Sequence, residues 1–128
     1  MVHGEDGLDE ITTAGATRVA EANKGMVRLF EVAPADFGLR RCDALEQLRG
    51  GTARGNADLI RAVFKGETGA RLGAARDLIV ANAAAAIVAG GLEDDLRTAA
   101  QRAEEGVRSG AALRKLKALA ARTTAPST

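Results

Sequence analysis

Thr17-Arg18-Val19-Ala20-Glu21-Ala22-Asn23-Lys24-Gly25-Met26-Val27-Arg28-Leu29-Phe30-Glu31-Val32 is the stretch that settles the kind of fold. Thr17 to Ala22 alternates weakly, with Val19 apolar between Arg18 and Glu21. Met26 to Val32 is rich in β-branched and aromatic residues, and Asn23-Lys24-Gly25 between them is a turn signal. Two such runs around a glycine-containing turn predict a β-hairpin. Pro34, Asp36 and Gly38 end it, and Val2-His3 reads as a strand stub on its other side. Two strands are marginal in water, so the sheet needs helices to lean on.

Beyond about Asp43 the period changes from two to that of a helix. Four helices are predicted. The first runs from about Thr52 to Lys65, capped by Thr52 and closed by Gly66, with Ala57, Ile60, Val63 and Phe64 on one face. The second runs from about Ala75 to Ala89 and is apolar nearly all round, which predicts deep burial. Gly90-Gly91 stops it. The third starts near Leu92 with Glu93, Asp94 and Asp95 in its first turn and the stripe Leu96, Ala99, Ala100, Ala103 and Val107. The fourth is capped by Ser109 and carries Leu113, Leu116, Leu119 and Ala120. Residues 1–122 thus read as one α/β unit, with a frayed, disordered tail at 123–128. The helices offer more apolar face than one hairpin and a stub can cover. The fold class expected is α/β: a partial sheet followed by about four helices, a fragment of a larger α/β domain.

Composition narrows the function. The chain has 128 residues, 18 basic and 17 acidic, for a net charge of +1, with 3 Phe and no Trp or Tyr. A nucleic-acid binder would show a basic excess or aromatic stacking platforms. One cysteine, Cys42, excludes an internal disulfide and a cysteine-rich zinc site, and one histidine, His3, leaves little for histidine-based chemistry. The first ten residues carry acids and glycines, unlike a targeting segment. The most apolar stretch, Leu78 to Ala89, is interrupted by Asn82 and falls short of the roughly 20 residues of a membrane span. The expectation is a cytoplasmic protein with no nucleic-acid and no membrane partner.

The densest candidate for chemistry is His3-Gly4-Glu5-Asp6-Gly7-Leu8-Asp9-Glu10, just after the strand stub. Ligand sites in α/β proteins gather where strands run into glycine-rich loops. Oxygen donors suit Mg²⁺, which takes one or two carboxylates and fills its shell with water and phosphate. A solvated acidic loop has the same composition.

Other features are weaker. Gly50-Gly51 before a helix suits either an anion or a plain turn. Cys42 follows Arg40 and Arg41, which lower a thiol's pKa when close, yet a structural or incidental thiol is the better reading. Ser109 has no base near it in sequence and suits a cap. Asn82, on an apolar helix, is expected as a buried amide bonded to backbone. Arg114, Lys115, Lys117 and Arg122 read as a solvated face of the last helix.

Taken in order, Val2-His3-Gly4, Asp6-Gly7-Leu8-Asp9-Glu10, Thr17-Arg18-Val19-Ala20-Glu21, Pro34 with Asp36-Phe37-Gly38-Leu39, Leu48-Arg49-Gly50-Gly51, Asn56-Ala57, Arg76-Asp77, Asn82-Ala83-Ala84-Ala85-Ala86 and Ser109-Gly110-Ala111-Ala112 resemble the C-terminal third of the anthranilate phosphoribosyltransferases. The Gly-Leu-Asp-Glu element is the most specific, and the colinearity carries the match. The resemblance implies transfer of a phosphoribosyl group from phosphoribosyl pyrophosphate to anthranilate, in tryptophan biosynthesis, with Mg²⁺ as cofactor. It implies Asp9 and Glu10 as the metal ligands, and His3 as a residue that shapes the loop. It assigns no catalytic residue to this stretch.

The family's Gly-Thr-Gly-Gly-Asp loop and Lys-His-Gly-Asn segment do not occur here, nor does the helical region of its homodimer. Thr52 stands where an aspartate is usual, and Ala70 to Ala75 looks like a small insertion ahead of Arg76-Asp77. The chain is therefore expected to be inactive alone. A non-catalytic remnant or interaction module is one alternative, and a piece similar to the pyrimidine nucleoside phosphorylases is another.

Overall fold

In the computed structural model, which describes residues 1–123, strands β1 (Val2–Gly4), β2 (Thr17–Asn23) and β3 (Met26–Val32) form an antiparallel sheet in the order β1-β2-β3. Val2 faces Val19 and Gly4 faces Thr17, while Thr17 also faces Val32 and Asn23 faces Met26. Lys24 and Gly25 turn the hairpin with φ of 49° and 78°. Positive φ at both central residues matches the twist of the flanking strands, which is why glycine follows here. The sheet is therefore the one expected: stub plus hairpin.

Four helices follow: α1 (Ala53–Phe64), α2 (Ala70–Ala89), α3 (Leu96–Arg108) and α4 (Ala111–Thr123). Thr52 caps α1 as expected, its hydroxyl accepting from Gly55 N at 3.1 Å. The structure corrects three other helix ends. α2 begins at Ala70 and not near Ala75, so Ala70 to Ala75 form its first residues. Alanine and leucine favour helix there, and Leu72 packs beside Val63, Ala75 and Val107. α3 begins at Leu96 and not near Leu92. Asp95 is its N-cap, with carboxylate oxygens accepting from Arg97 N at 3.2 Å and Thr98 N at 2.8 Å. Ser109 ends α3 instead of capping α4, and Gly110, at φ 71°, turns the chain between them. Thr123, expected in the tail, is the last residue of α4, and the remaining tail residues, 124–128, lie outside the described residues.

The main core joins the base of the sheet to α2 and α3. It contains Ile11, Val32, Phe37, Val80, Ala81, Ala84, Ala99 and Ala100. Alanines from α2 and α3 meet there, each 4% exposed or less, so the helix backbones approach closely. Phe37, in a 3-10 turn at Pro34–Phe37, closes one end. That turn is pinned to α3 by Arg97, whose guanidinium donates to Ala35 O at 2.9 Å.

Deep burial of α2 on all sides is not observed. Only Ala75, Val80, Ala81 and Ala84 are buried in it. The third helix's stripe falls as expected, with Ala99, Ala100 and Val107 buried. α4 buries none of its residues, and Leu119 stays 60% exposed. At 20 residues α2 also exceeds the apolar length read from the sequence, and it is long and apolar enough to cross a membrane by length and composition alone. The core helix of a folded domain passes the same test, and α2 packs on α1 and α3.

Candidate functional site

The chain between β1 and β2 leaves the sheet at Gly4 and returns at Thr17, two residues paired directly across the ladder. Its ends are therefore fixed side by side, and the residues between them form a closed loop. Gly4 N donates to Leu8 O at 2.7 Å, Gly7 N to Gly4 O at 3.0 Å and Glu5 N to Ala16 O at 2.9 Å. Gly4 has no room for a side chain: a Cβ there would lie 2.6 Å from Asp6 Oδ1 and 3.1 Å from Thr12.

The acidic residues divide into two pairs. Asp6 accepts from the Thr12 hydroxyl at 2.6 Å and from Leu8 N at 3.2 Å. Glu5 accepts from Ala16 N at 3.1 Å and lies over Gly15. Both are spent on the loop's own backbone and hydroxyls. Asp9 and Glu10 are exposed. The Asp9 side chain is 94% accessible and pairs with His3, whose Nδ1 lies 3.2 Å from Asp9 Oδ1. Loop shaping, the part expected of His3, fits that contact.

Beneath the carboxylates the segment Ile11–Gly15 is buried throughout. Irregular backbone in a core must find partners for its amides. Threonines supply several of them: Thr12 N donates to Thr17 Oγ1 and Ala14 N to Thr12 Oγ1, both at 3.0 Å. Thr13 O accepts from Cys42 N at 2.8 Å. The Thr13 hydroxyl is buried without a partner. In sequence Thr12 and Thr13 carry no pattern of their own that singles them out. The available signal was their position right after the acidic run.

Asn82 completes the support. From the middle of α2 its Oδ1 accepts from Ile11 N at 2.9 Å, and its Nδ2 donates to Ile11 O and to Leu78 O, each at 2.9 Å. The expected backbone-bonded amide is thus present, and its partner is the residue that follows Glu10.

The remaining candidates have ordinary occupations. Gly51 N donates to Asn56 Oδ1 at 2.8 Å, which makes Gly50-Gly51 a braced turn. Cys42 is half-buried, its thiol directed at Ala44 O at 3.6 Å, and Arg41 turns to Asp43 at 3.3 Å. Arg114 returns to Ser109 O at 3.1 Å. Arg76 pairs with Glu104, and burial pushes the Asp77 carboxyl above its usual range against the pull of Arg76. An open groove of about 740 Å³ lies between the end of α1, the start of α2 and the α3–α4 turn, lined by Val63, Phe64, Leu72, Arg76, Val107 and Leu113. It contains neither Asp9 nor Glu10.

Among the described residues, no three His, Cys, Asp or Glu side chains gather into a metal cage. The donor set at Asp9 and Glu10 is a different kind: two hard, exposed oxygen donors on a braced loop. Mg²⁺ is bound in that way, through one or two carboxylates, with water and substrate phosphate in its other positions. The residues present fit the ion.

Residues 1–113 match the glycosyl transferase family, a/b domain. The chain is 42% identical over 119 residues to an anthranilate phosphoribosyltransferase of Desulfatibacillum aliphaticivorans, covering 93% of this chain and 34% of that protein. It is 46% identical over 127 residues to the enzyme of that name from Rhodospirillum rubrum, covering 99% and 35%. Among solved structures, the anthranilate phosphoribosyltransferase of Saccharomyces cerevisiae in complex with PRPP and Mg superposes with a TM-score of 0.77 at 25% identity, over 91% of this chain and 32% of that one. The Thermus thermophilus enzyme gives 0.75 at 36% identity, over 91% and 32%. The chain spans about a third of the length of the curated relatives it matches.

Proposed function

This chain belongs to the glycosyl transferase family, a/b domain, and on that footing we propose that it is the metal-binding portion of an anthranilate phosphoribosyltransferase. The complete enzyme would act in the cytoplasm, in tryptophan biosynthesis. It would move the phosphoribosyl group of phosphoribosyl pyrophosphate to the amine of anthranilate and release pyrophosphate. The observation that carries the reading is the division of the acidic loop: Asp6 and Glu5 are consumed inside it, while Asp9 and Glu10 are held outward. Asp9 and Glu10 would hold Mg²⁺. When bound, the ion supplies neutralisation of the pyrophosphate that departs. The carboxylates fix where that charge is met, His3 restrains Asp9, and Gly4, Asp6 and Thr12 keep the loop in shape.

The 128 residues contain neither a Gly-Thr-Gly-Gly-Asp nor a Lys-His-Gly-Asn segment, so the chain by itself is expected to be inactive. Conversion of anthranilate by this chain with phosphoribosyl pyrophosphate and Mg²⁺ would overturn that statement. The metal assignment is tested by thermal melting with Mg²⁺ and pyrophosphate. The melting temperature is expected to rise for the unsubstituted chain and to stay unchanged for the double variant Asp9→Asn, Glu10→Gln. Equal responses from both would favour a non-catalytic interaction module.

A further inference from the structure

We propose that Asn82 is a positioning residue for the Asp9–Glu10 pair, setting how tightly the loop holds a divalent cation; this rests on the assignment of that pair to the metal. The two carboxylates hang from a dipeptide whose flanking peptide groups are both pinned. On the near side, the carbonyl of the Leu8–Asp9 peptide accepts from Gly4 N at 2.7 Å. On the far side, the N–H of the Glu10–Ile11 peptide donates to Asn82 Oδ1 at 2.9 Å. Asn82 Nδ2 returns a 2.9 Å bond to Ile11 O, so one carboxamide grips both the amide and the carbonyl of Ile11. A third bond, to Leu78 O at 2.9 Å, locks the carboxamide to its own helix. Ile11 is 2% exposed and belongs to the core cluster that includes Val80, Ala81 and Ala84 of the same helix.

The grip comes from 71 positions away in sequence. It converts a surface loop into an extension of a rigid helix. Two side chains must converge on a cation that tolerates little departure from octahedral geometry. Wandering of the dipeptide would cost ordering entropy at the moment of binding. Groups that orient metal ligands without touching the metal change affinity by about 10- to 100-fold when removed. Isoleucine alone would anchor the loop by burial, but burial is non-directional and does not fix the peptide plane next to Glu10.

The probe is Mn²⁺ alone, a paramagnetic substitute for Mg²⁺, with binding followed by water-proton relaxation well below each variant's melting midpoint. Asn82→Asp keeps the size but loses both N–H donors and sets negative charge against two carbonyl oxygens. Asn82→Ala loses the whole grip. Both are expected to weaken Mn²⁺ binding by about tenfold, with the helical circular dichroism retained. A residue that is only structural would lower the melting temperature and leave the Mn²⁺ dissociation constant unchanged, and that result overturns the proposal.

Should the variants fail to fold, the unsubstituted chain still decides. In a Mg²⁺ titration followed by NMR, the Asn82 side-chain amide is expected to shift with the same half-saturation as the Asp9 and Glu10 amides. An Asn82 amide that stays still while those two move rules the role out. The double variant Asp9→Asn, Glu10→Gln separates the two levels. If it binds Mn²⁺ as the unsubstituted chain does, the metal assignment falls, and this inference with it. If it loses binding while the Asn82 variants keep theirs, only the positioning role falls.

Discussion

The loop between β1 and β2 and the helix α4 hold their shapes by opposite means. The loop buries Thr12 and Thr13 against Thr17 of β2, and ties its backbone to hydroxyls, carboxylates and the Asn82 carboxamide. α4 fully buries none of its residues and leaves Leu119 open, and it packs on α1 and α3 only through half-buried residues such as Ala112. The difference shows what each can tolerate. A buried polar network has a fixed partner for nearly every group, and losing one strands another. A helix held by a half-buried face has less tertiary energy to lose at any one position. Between them stand α2 and α3, joined through alanines that pack closely but remove little area from water per residue.

The comparison breaks most visibly at Ile11, where the loop enters the core. Ile11→Ala is expected to cost about 2–5 kcal/mol in urea or guanidinium denaturation, because it empties a site in the main core cluster and loosens the Asn82 contact. A loss below about 1 kcal/mol would mean that the loop is not part of the cooperative core. Next comes Gly4→Ala, expected to cost about 1–3 kcal/mol by forcing Asp6 away from Thr12. The same measurement on Asp6→Asn should show a smaller loss, since the space is kept.

Thr13→Val sharpens the contrast from the other side. It keeps the shape and removes a buried hydroxyl with no partner, so it should raise stability by about 1 kcal/mol. A loss of that size would show that the hydroxyl has a partner in solution. Leu119→Ser should change stability by less than about 0.5 kcal/mol, given 60% exposure. A larger loss would show that α4 is covered by something in solution.

The smallest effect is one of pH. Hydrogen bonds from the Thr98 hydroxyl, Thr98 N and Arg97 N hold the Asp95 carboxyl below its usual value. Its folded pKa is therefore lower than its unfolded one. The stabilisation is present above the unfolded pKa and is lost as pH falls through the folded one. Asp77 has the reverse sign. Burial raises its folded pKa, against Arg76, so stability declines as pH rises through that range. Melting temperatures across the acid range should show Asp95→Asn flattening the acid limb, while Asp77→Asn removes a penalty at neutral pH. The two variants giving the same sign would contradict this assignment of causes.

Much of the fold is legible without coordinates, and the reasons are local. The Lys24-Gly25 turn needs positive φ and has glycine. Thr52 caps α1, and the α3 stripe repeats at helical spacing. The errors fall where two local rules competed. Glu93, Asp94 and Asp95 all suit a first turn, but only Asp95 bonds to the free amides of α3. Ser109 suits an N-cap, yet it closes the preceding helix, because the glycine after it supplies the turn. At the candidate site, Asp9 and Glu10 were singled out through a resemblance, while the His3–Asp9 contact came only with the structure. The threonine floor was not legible, since a hydroxyl that serves a buried amide looks in sequence like any strand threonine.

By itself, then, the sequence determined the order of elements, the hairpin, most helix faces and the location of the acidic run. These follow from period, turn chemistry and caps, whose physics acts over a few residues. Tertiary structure decided which carboxylates are tied into the loop and which stay exposed. Asp6 and Glu5 are spoken for by Thr12 and Ala16, and Ile11 by an amide far along the chain. Composition cannot sort four acids into two roles. That sorting depends on which backbone amides and hydroxyls the folded chain leaves within reach of each oxygen, and those partners meet only when β1, β2 and α2 are in place.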